Sequence, residues 1–276
     1  MSLNNSDFEF EYRGISISPV DSSRFNLYID LFRTVFPSFK VNIDYLTWLY
    51  LENPLGTFVG FDAMEHGKVV AHYACIPTKI EGHSQLSLLA LNTATDKSYQ
   101  GRGLLKVTAN ATYARYEKVF SNVIGVANAQ AVGALTRHLG FKHLGNLDLR
   151  FGKVASGRLG RRIYTSEDLD WRANNPLRPL KVSYLSKSFA LTSVYPFTRL
   201  IPIMSIIPLS NNSIRSDAKS VPLRLGITLD WRRQSKPLIY LPSRFKPSPL
   251  ALVYRPLLED KSDYLFSWTF PDFDAF

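Results

Sequence analysis

The sequence Asp-Lys-Ser-Tyr-Gln-Gly-Arg-Gly-Leu-Leu occupies positions 96–105 and decides the fold. It follows a run rich in Leu, Thr and Ala, which predicts a strand ending at Thr95, and it continues into a long amphipathic stretch, which predicts a helix from Gly103. Glycines at 101 and 103 let the backbone turn tightly and approach a ligand closely. The first N–H groups of a helix have no intrahelical partner and lie at the positive end of its dipole. The segment therefore predicts a phosphate or pyrophosphate site, with Arg102 as an added cation.

Two common phosphate-binding loops do not fit this segment. A P-loop needs Lys followed by Ser or Thr after its second glycine, and neither pair follows Gly103. A dinucleotide-binding loop needs a third glycine where Lys106 stands. The segment instead resembles the acetyl-CoA loop of GNAT-type N-acetyltransferases, Gln/Arg-x-x-Gly-x-Gly/Ala, through Gln100 and Gly103, although Leu105 replaces the last small residue. The alternative is an ordinary strand-to-helix turn that uses glycine.

A second motif strengthens this resemblance. Residues 122–127 predict a short buried strand, and Asn128 follows them directly. A helix with Ala131, Leu135 and Leu139 on one face comes next and ends at Gly140-Phe141, where the glycine predicts a left-handed C-cap. GNAT enzymes have a similar succession of strand, Asn, helix and Leu-Gly-Phe, one helix and one strand after the first motif.

The rest of the first half is consistent with a GNAT-like fold, which is a mixed α/β (α+β) architecture. Its central mixed, mostly antiparallel sheet is flanked by helices. Asp21 can cap one helix, and Asn42 can cap a second that ends before Asn53-Pro54. The patterns predict strands over 57–62, 68–76, 86–95 and 144–151.

We expect two domains, with a GNAT acetyltransferase domain at 1–153 and a smaller GNAT-like C-terminal domain at 154–276. After Gly160 the chain has only Gly226, so the second half lacks a cofactor loop. The phrase that runs from Asp44 through Trp48 to Asn-Pro is echoed from Asp168 through Trp171 to Asn-Pro, by duplication or by chance. Further strands are predicted over 237–241, 251–257 and 264–270.

Composition narrows the class of protein. The 276 residues are 45% hydrophobic and 20% charged, which is typical of a folded globular protein. Cys75 is the single cysteine, which excludes an intrachain disulfide; we expect a packed thiol. The five histidines lack metal-ligand spacing, so no metal is expected. No export signal is evident, which favours a cytoplasmic protein. The apolar stretch at 189–209 contains three prolines, which favours buried core over a membrane span.

The net charge of +10 leaves several partners open. It suits nucleic acid, an anionic membrane or an anionic small ligand, but no nucleic-acid-binding motif is present. A solvated basic face is the plainest interpretation, and a groove for CoA phosphates or an anionic substrate such as a nucleotide sugar is the next. The basic residues concerned are Arg158, Arg161, Arg162, Arg232, Arg233, Arg244 and Lys246.

The resemblance implies transfer of an acetyl group from acetyl-CoA to a primary amine of a small molecule, such as an amino sugar. It places the pantetheine arm on the strand before the loop, the pyrophosphate on the loop, and a further contact at the downstream Asn. The cofactor-binding residues would then be Thr93, Ala94, Thr95, Gln100, Gly101, Arg102, Gly103, Leu104 and Asn128.

The catalytic residues that the resemblance leads one to expect are missing. Thr136 stands where many GNAT enzymes have an acidic Tyr. The Glu that is usual on the strand before the loop is also absent. His72 is a candidate base because imidazoles titrate near neutral pH, although a hydrogen-bonded core histidine is the more common case. Asn92 could orient the amine or polarise the thioester carbonyl. Two alternatives stay open, namely a non-catalytic CoA-binding protein and an acyl or aminoacyl transferase with another donor.

Overall fold

The computed structural model describes residues 8–81, 83–153, 163–185, 188–195, 198–208, 225–231, 239–242, 250–258 and 268–269. The basic clusters noted above lie outside these ranges. Helices in the described part are α1 (Phe25–Val35), α2 (Ile43–Tyr50), α3 (Leu104–Tyr116), α4 (Ala129–His138) and α5 (Ser166–Ala173).

The strands form two sheets. Their bounds are β1 (Phe10–Tyr12), β2 (Ile15–Pro19), β3 (Val59–Glu65), β4 (Lys68–Thr78), β5 (Ser87–Thr95), β6 (Asn122–Asn128), β7 (Lys142–Asn146), β8 (Asp148–Lys153), β9 (Lys181–Leu185), β10 (Ser188–Tyr195), β11 (Thr198–Pro208), β12 (Leu225–Trp231), β13 (Ile239–Tyr240), β14 (Leu250–Pro256) and β15 (Trp268–Thr269).

The first sheet has the order β1-β2-β3-β4-β5-β6-β14-β7. Its neighbouring strands are antiparallel except β5 and β6, which are parallel. On β4, Ala74 and Ile76 pack in the core that contains α1 and α2, whereas Tyr73 and Cys75 pack against α3 and α4. The mixed, mostly antiparallel sheet with helices on both faces confirms the predicted fold class. The β1–β2 hairpin was not predicted, because β1 has only three, largely exposed residues.

The capping residues behave largely as their chemistry predicts. The Asn42 side chain accepts a hydrogen bond from the Tyr45 N–H at 2.9 Å and starts α2. Asp21 accepts from the Ser23 N–H at 2.8 Å, but it caps a short 3₁₀ turn that precedes α1. Burial raises the pKa of Cys75 to about 12, so this free cysteine is a packed thiol as predicted.

The predicted strand at 144–151 is wrong as a single element. The chain leaves the first sheet after β7, and β8 pairs with β12 and β13 in the second sheet. Leu147 lies between the two strands and is fully buried. The apolar side chains of 147, 149 and 151 alternate without a break, so no turn residue marks this change of sheet.

The second sheet repeats the strand order of the first. In the first, β3, β4 and β5 form a meander, β5 runs parallel to β6, and β6 pairs with β14, which pairs with β7. In the second, β9, β10 and β11 form a meander, β11 runs parallel to β12, and β12 pairs with β8, which pairs with β13. Each sheet therefore contains one strand from the other half of the sequence, namely β8 and β14. The division at residue 153 stays a prediction, and strand pairing crosses it on both sides.

The two tryptophans of the echoed phrase meet in the core. The rings of Trp48 in α2 and Trp171 in α5 stack with their centroids 4.9 Å apart. Trp48 Nε1 donates to the Trp171 carbonyl at 2.7 Å, and Trp171 Nε1 donates to the Trp48 carbonyl at 2.8 Å. Such reciprocal contacts are what a local two-fold relation between the helices produces.

The described residues of the apolar stretch at 189–209 form most of β10 and β11, in which Phe189, Leu191 and Ile203 are buried. Across the described ranges, every helix is too short or too polar to cross a bilayer.

Candidate functional site

The glycine loop has the predicted arrangement of strand, loop and helix. Gly101 and Gly103 have φ angles of 77° and 84°, a region that glycine adopts without steric cost. Gly103 is the N-cap of α3, and no side chain there accepts a hydrogen bond from the first turn. Because that turn also has no acidic residue, its N–H groups and the positive end of the helix dipole are available to an anion.

A cavity of about 390 Å³ lies against this loop. Five of the predicted cofactor residues line it, which are Thr95, Gln100, Gly101, Gly103 and Leu104. Two basic residues that were not predicted at the site, Lys106 and His138, line it as well. Arg102 does not line the cavity, since its guanidinium lies 4.6 Å from the centre of the Tyr99 ring and donates to the Ser98 carbonyl at 3.2 Å.

A second cavity of about 480 Å³ opens where β5 and β6 separate. The two strands pair only over 88–90 and 123–125. The end of β5 then diverges, and Thr93, Ala94 and Thr95 line the opening together with Asn128. Thr95 and Leu105 line both cavities, so the two are adjacent. Phe36, Ser38 and Phe39, which follow or end α1, line the far side.

Asn128 is both a helix cap and a cavity residue. Its side-chain oxygen accepts hydrogen bonds from the Gln130 N–H at 3.1 Å and the Ala131 N–H at 2.8 Å. This leaves its amide nitrogen as the group that can contact a ligand. At the other end of α4, Gly140 has a φ of 68°, as predicted for a left-handed C-cap.

Asn92 lines the second cavity and has a left-handed backbone. Its φ is 50°, which is unusual for a residue other than glycine, and the β4–β5 register shifts opposite it. Its side-chain nitrogen donates to the Tyr50 hydroxyl at 3.3 Å.

His72 lies beneath the site and lines neither cavity. Only 1% of its surface is exposed. Its Nδ1 is 2.7 Å from an Asp62 oxygen, and its Nε2 is 3.1 Å from the Tyr50 hydroxyl. His72 therefore lies in the core, as the alternative of a hydrogen-bonded core histidine expects, and its role as a base stays a prediction. Asp62 and Tyr50 were missed, since neither lies in a motif.

The comparisons bear on this geometry. No family model matches the chain, and no curated protein matches it. A GNAT-family N-acetyltransferase from Escherichia coli, solved in complex with CoA, aligns at 18% identity over 46% of this chain and 68% of its own, with a TM-score of 0.40. A protein of unknown function from Enterococcus faecalis, described as a probable N-acyltransferase, aligns at 11% identity over 87% of this chain and 70% of its own, with a TM-score of 0.56. The chain has a GNAT-type fold.

Within the GNAT-type fold, the position expected for an acidic Tyr holds a hydroxyl that is already engaged. Thr136 donates to the Val132 carbonyl of its own helix at 2.9 Å and lines neither cavity. Tyr73 on β4 does line the second cavity, and its hydroxyl is 2.7 Å from that of Tyr113. Burial raises the pKa of Tyr73, so its phenol stays protonated. Tyr73 was not predicted as a site residue, because it reads as one of several apolar residues on a buried strand.

In the described part of the chain, no three His, Cys, Asp or Glu side chains gather as a metal site requires.

Proposed function

We propose that this protein is an acetyl-CoA-dependent N-acetyltransferase. It transfers an acetyl group to a primary amine of a small molecule by direct attack, with an amino sugar or a nucleotide sugar as the candidate acceptor. One observation carries the proposal, namely the pair of adjacent cavities that leads from a helix N-terminus through the gap between β5 and β6 to the end of α1.

In this proposal, acetyl-CoA occupies both cavities, with its pyrophosphate in the first and its pantetheine arm in the second. The N–H groups at the start of α3 face the pyrophosphate, where Lys106 adds positive charge and the His138 ring adds a polar group. The pantetheine arm lies along 93–95, whose backbone has no β6 partner, and pairs with it as an added strand would. Asn128 contacts the arm from the opposite side of the gap. No metal takes part in this proposal.

The transfer requires two proton movements. The amine nitrogen attacks the thioester carbonyl carbon, the carbon–sulfur bond breaks, the nitrogen loses a proton and the CoA sulfur gains one. Holding the two reactants together can supply about 7 to 11 kcal/mol of the barrier. We assign protonation of the sulfur to Tyr73, the one phenol that lines the second cavity within the described ranges.

A non-catalytic CoA-binding protein is the second candidate. Among the described residues that line the second cavity there is no carboxylate and no imidazole, so a side-chain base for the amine is missing. Such a protein would bind acetyl-CoA without transferring the acetyl group. An acyl or aminoacyl transferase with another donor would use the same gap with a different carrier.

Acetyl-CoA should raise the melting temperature of the protein. At a ligand concentration about 100 times Kd, binding adds about 2.7 kcal/mol to the free energy of unfolding, which corresponds to about 5 to 10 °C for a chain of this size. The measurement is a thermal melt with acetyl-CoA, CoA and longer acyl-CoA. If none of them shifts the melt at millimolar concentration, the protein has no CoA site. An acetyl-CoA consumption assay with amino sugars, nucleotide amino sugars and simple amines then separates the enzyme from the binding protein.

Tyr73→Phe should lower kcat by about 10²-fold, the lower end of what acid–base catalysis contributes. Thr136→Val is the matched control and should leave kcat within about twofold, because its hydroxyl serves only its own helix. Both variants lose one hydroxyl and keep nearly the same volume. Steady-state kinetics with a fixed amine measure the effect, and thermal melts show whether each variant is folded. A larger loss in Thr136→Val than in Tyr73→Phe would move the acid to α4.

A further inference from the structure

A buried chain of hydrogen bonds leads from Arg24 to the second cavity. Arg24 Nη1 is 3.0 Å from Asp62 Oδ2, and Asp62 Oδ1 is 2.7 Å from His72 Nδ1. His72 Nε2 is 3.1 Å from the Tyr50 hydroxyl, which is 3.3 Å from Asn92 Nδ2. Asp62, His72 and Tyr50 are buried, whereas Asn92 lines the cavity. These hydrogen bonds thus connect the buried Asp62 carboxylate to the Asn92 side chain at the cavity.

The donors and acceptors of this chain follow from its charged end. Asp62 faces three donors, which are Arg24, the Tyr28 hydroxyl at 2.7 Å and His72 Nδ1. An ionised carboxylate only accepts hydrogen bonds, so Nδ1 carries the imidazole proton. In the tautomer with its proton on Nδ1, the His72 imidazole accepts a hydrogen bond from the Tyr50 hydroxyl at Nε2.

The order of donors and acceptors along these hydrogen bonds continues from His72 through Tyr50 to Asn92. Burial raises the pKa of its phenol, so the hydroxyl keeps the proton that it donates to His72. The Tyr50 oxygen can then only accept from its other neighbour, which is Asn92 Nδ2. If the Asn92 amide were turned over, its oxygen would face the Tyr50 oxygen with no proton between them. The buried chain therefore selects one orientation of the amide.

We propose that Asp62, His72 and Tyr50 are positioning residues that hold the Asn92 amide oxygen toward the cavity, where it accepts an N–H of the acceptor amine. Within the described part of the chain, this oxygen has no protein hydrogen-bond partner. It orients the amine and does not polarise the thioester carbonyl, since a carbonyl would require a donor. The inference rests on the proposed function and specifies the site further, because the cavity then selects acceptors that present an N–H at this point.

The order of donors and acceptors along these hydrogen bonds can be tested without an enzyme assay. In protein labelled with ¹⁵N-histidine, a long-range ¹H–¹⁵N spectrum should show His72 as the neutral tautomer with its proton on Nδ1. Signals that are lost in His72→Gln assign the residue. Tyr50→Phe should shift the His72 Nε2 resonance, because the hydrogen bond from the hydroxyl is gone. A proton on Nε2, in either the other tautomer or the imidazolium, would overturn the proposed direction.

The role of the Asn92 oxygen requires a ligand with one defined N–H. The probe is CoA with an S-linked CH₂–CO–NH–butyl group, in which the amide N–H takes the place of the amine N–H. Its twin has an N-methyl group there. By calorimetry, the N–H probe should bind the wild-type protein about 3- to 10-fold more tightly than its twin, as one hydrogen bond allows. This preference should disappear in Asn92→Ala and in Tyr50→Phe.

Tyr45→Phe is the control for these variants. Tyr45 is a buried tyrosine of the same helix that lines neither cavity, so the preference for the N–H probe should persist. In Tyr50→Phe the ring still stacks on Phe58, at 4.4 Å between centroids, which favours a folded protein. Equal affinities of the two probes for the wild-type protein would reject the role of Asn92. If CoA itself does not bind, the proposed function fails and the amine contact fails with it, whereas the histidine spectrum still judges the buried chain.

Discussion

Gly103→Asp should weaken acetyl-CoA binding by about 10³-fold or more, which corresponds to about 4 kcal/mol. Gly103 is the N-cap of α3, so Asp there places a side chain and a negative charge at the helix end that the ligand would approach closely. The ligand then loses hydrogen bonds that are worth about 1.5 to 3 kcal/mol each to a charged group, and its pyrophosphate meets a like charge. Calorimetry with acetyl-CoA measures the loss.

The fold should survive this change. Asp tolerates a left-handed backbone better than most residues, although its Cβ would lie 3.1 Å from the Tyr12 hydroxyl. Gly67→Asp is the matched control, because Gly67 has a φ of 72° and open space around its missing Cβ in the β3–β4 turn. That variant carries the same backbone strain and the same charge away from the cavities, and it should bind normally. Normal binding by Gly103→Asp would show that the ligand does not use this helix end.

Trp171→Ala should lower the free energy of unfolding by about 3 to 5 kcal/mol, as is typical for removing a large buried aromatic ring. The ring is stacked on Trp48, and its Nε1 donates to the Trp48 carbonyl. The loss therefore removes packing and a hydrogen bond between the helices of the two halves. Urea unfolding measures it in the wild-type protein and in the variant.

A double-mutant cycle shows whether this loss belongs to the tryptophan pair. Trp48→Ala and Trp171→Ala together should deviate from additivity by about 0.5 to 3 kcal/mol, as residues in contact do. Phe189 serves as the control partner, since it is buried in a different cluster of the second half. Trp48→Ala and Phe189→Ala should add within about 0.5 kcal/mol. Additive losses for the tryptophan pair would mean that their reciprocal contacts carry no energy of their own.

The parts of the site that were predicted have local signals. The loop from Gln100 to Gly103, the strand-to-helix junction at Asn128 and the C-cap at Gly140 each depend on a few neighbouring residues, whose chemistry fixes the backbone nearby. The same holds for the cap of α2 at Asn42. Short-range patterns of this kind can be recognised in a single sequence, and the backbone of the glycine loop and of its neighbouring helix ends follows from them.

The parts that were not predicted depend on partners far apart in the chain. Tyr50 reaches His72 across 22 positions and Asn92 across 42, and nothing near Tyr50 marks it as polar core. The placement of β14 between β6 and β7 was missed for the same reason, since an alternating pattern predicts a strand but not its neighbours. His72 was recognised as a histidine of interest, yet its burial depends on α1 and α2 and is not visible in its own strand.

Because the first sheet contains β14 from the second half of the sequence, this sheet cannot be completed until most of the chain has been synthesised. β14 lies between β6 and β7 in the sheet, but it begins only at Leu250. When β7 leaves the ribosome, about one hundred residues must still be translated before β14. Until then, the edges of β6 and β7 in the nascent first half have no β14 to pair with. Most multidomain proteins instead complete one domain before the next is translated. Edges of that kind invite pairing with other chains. A premature stop after the first half would therefore yield an aggregation-prone fragment with a gap in its sheet.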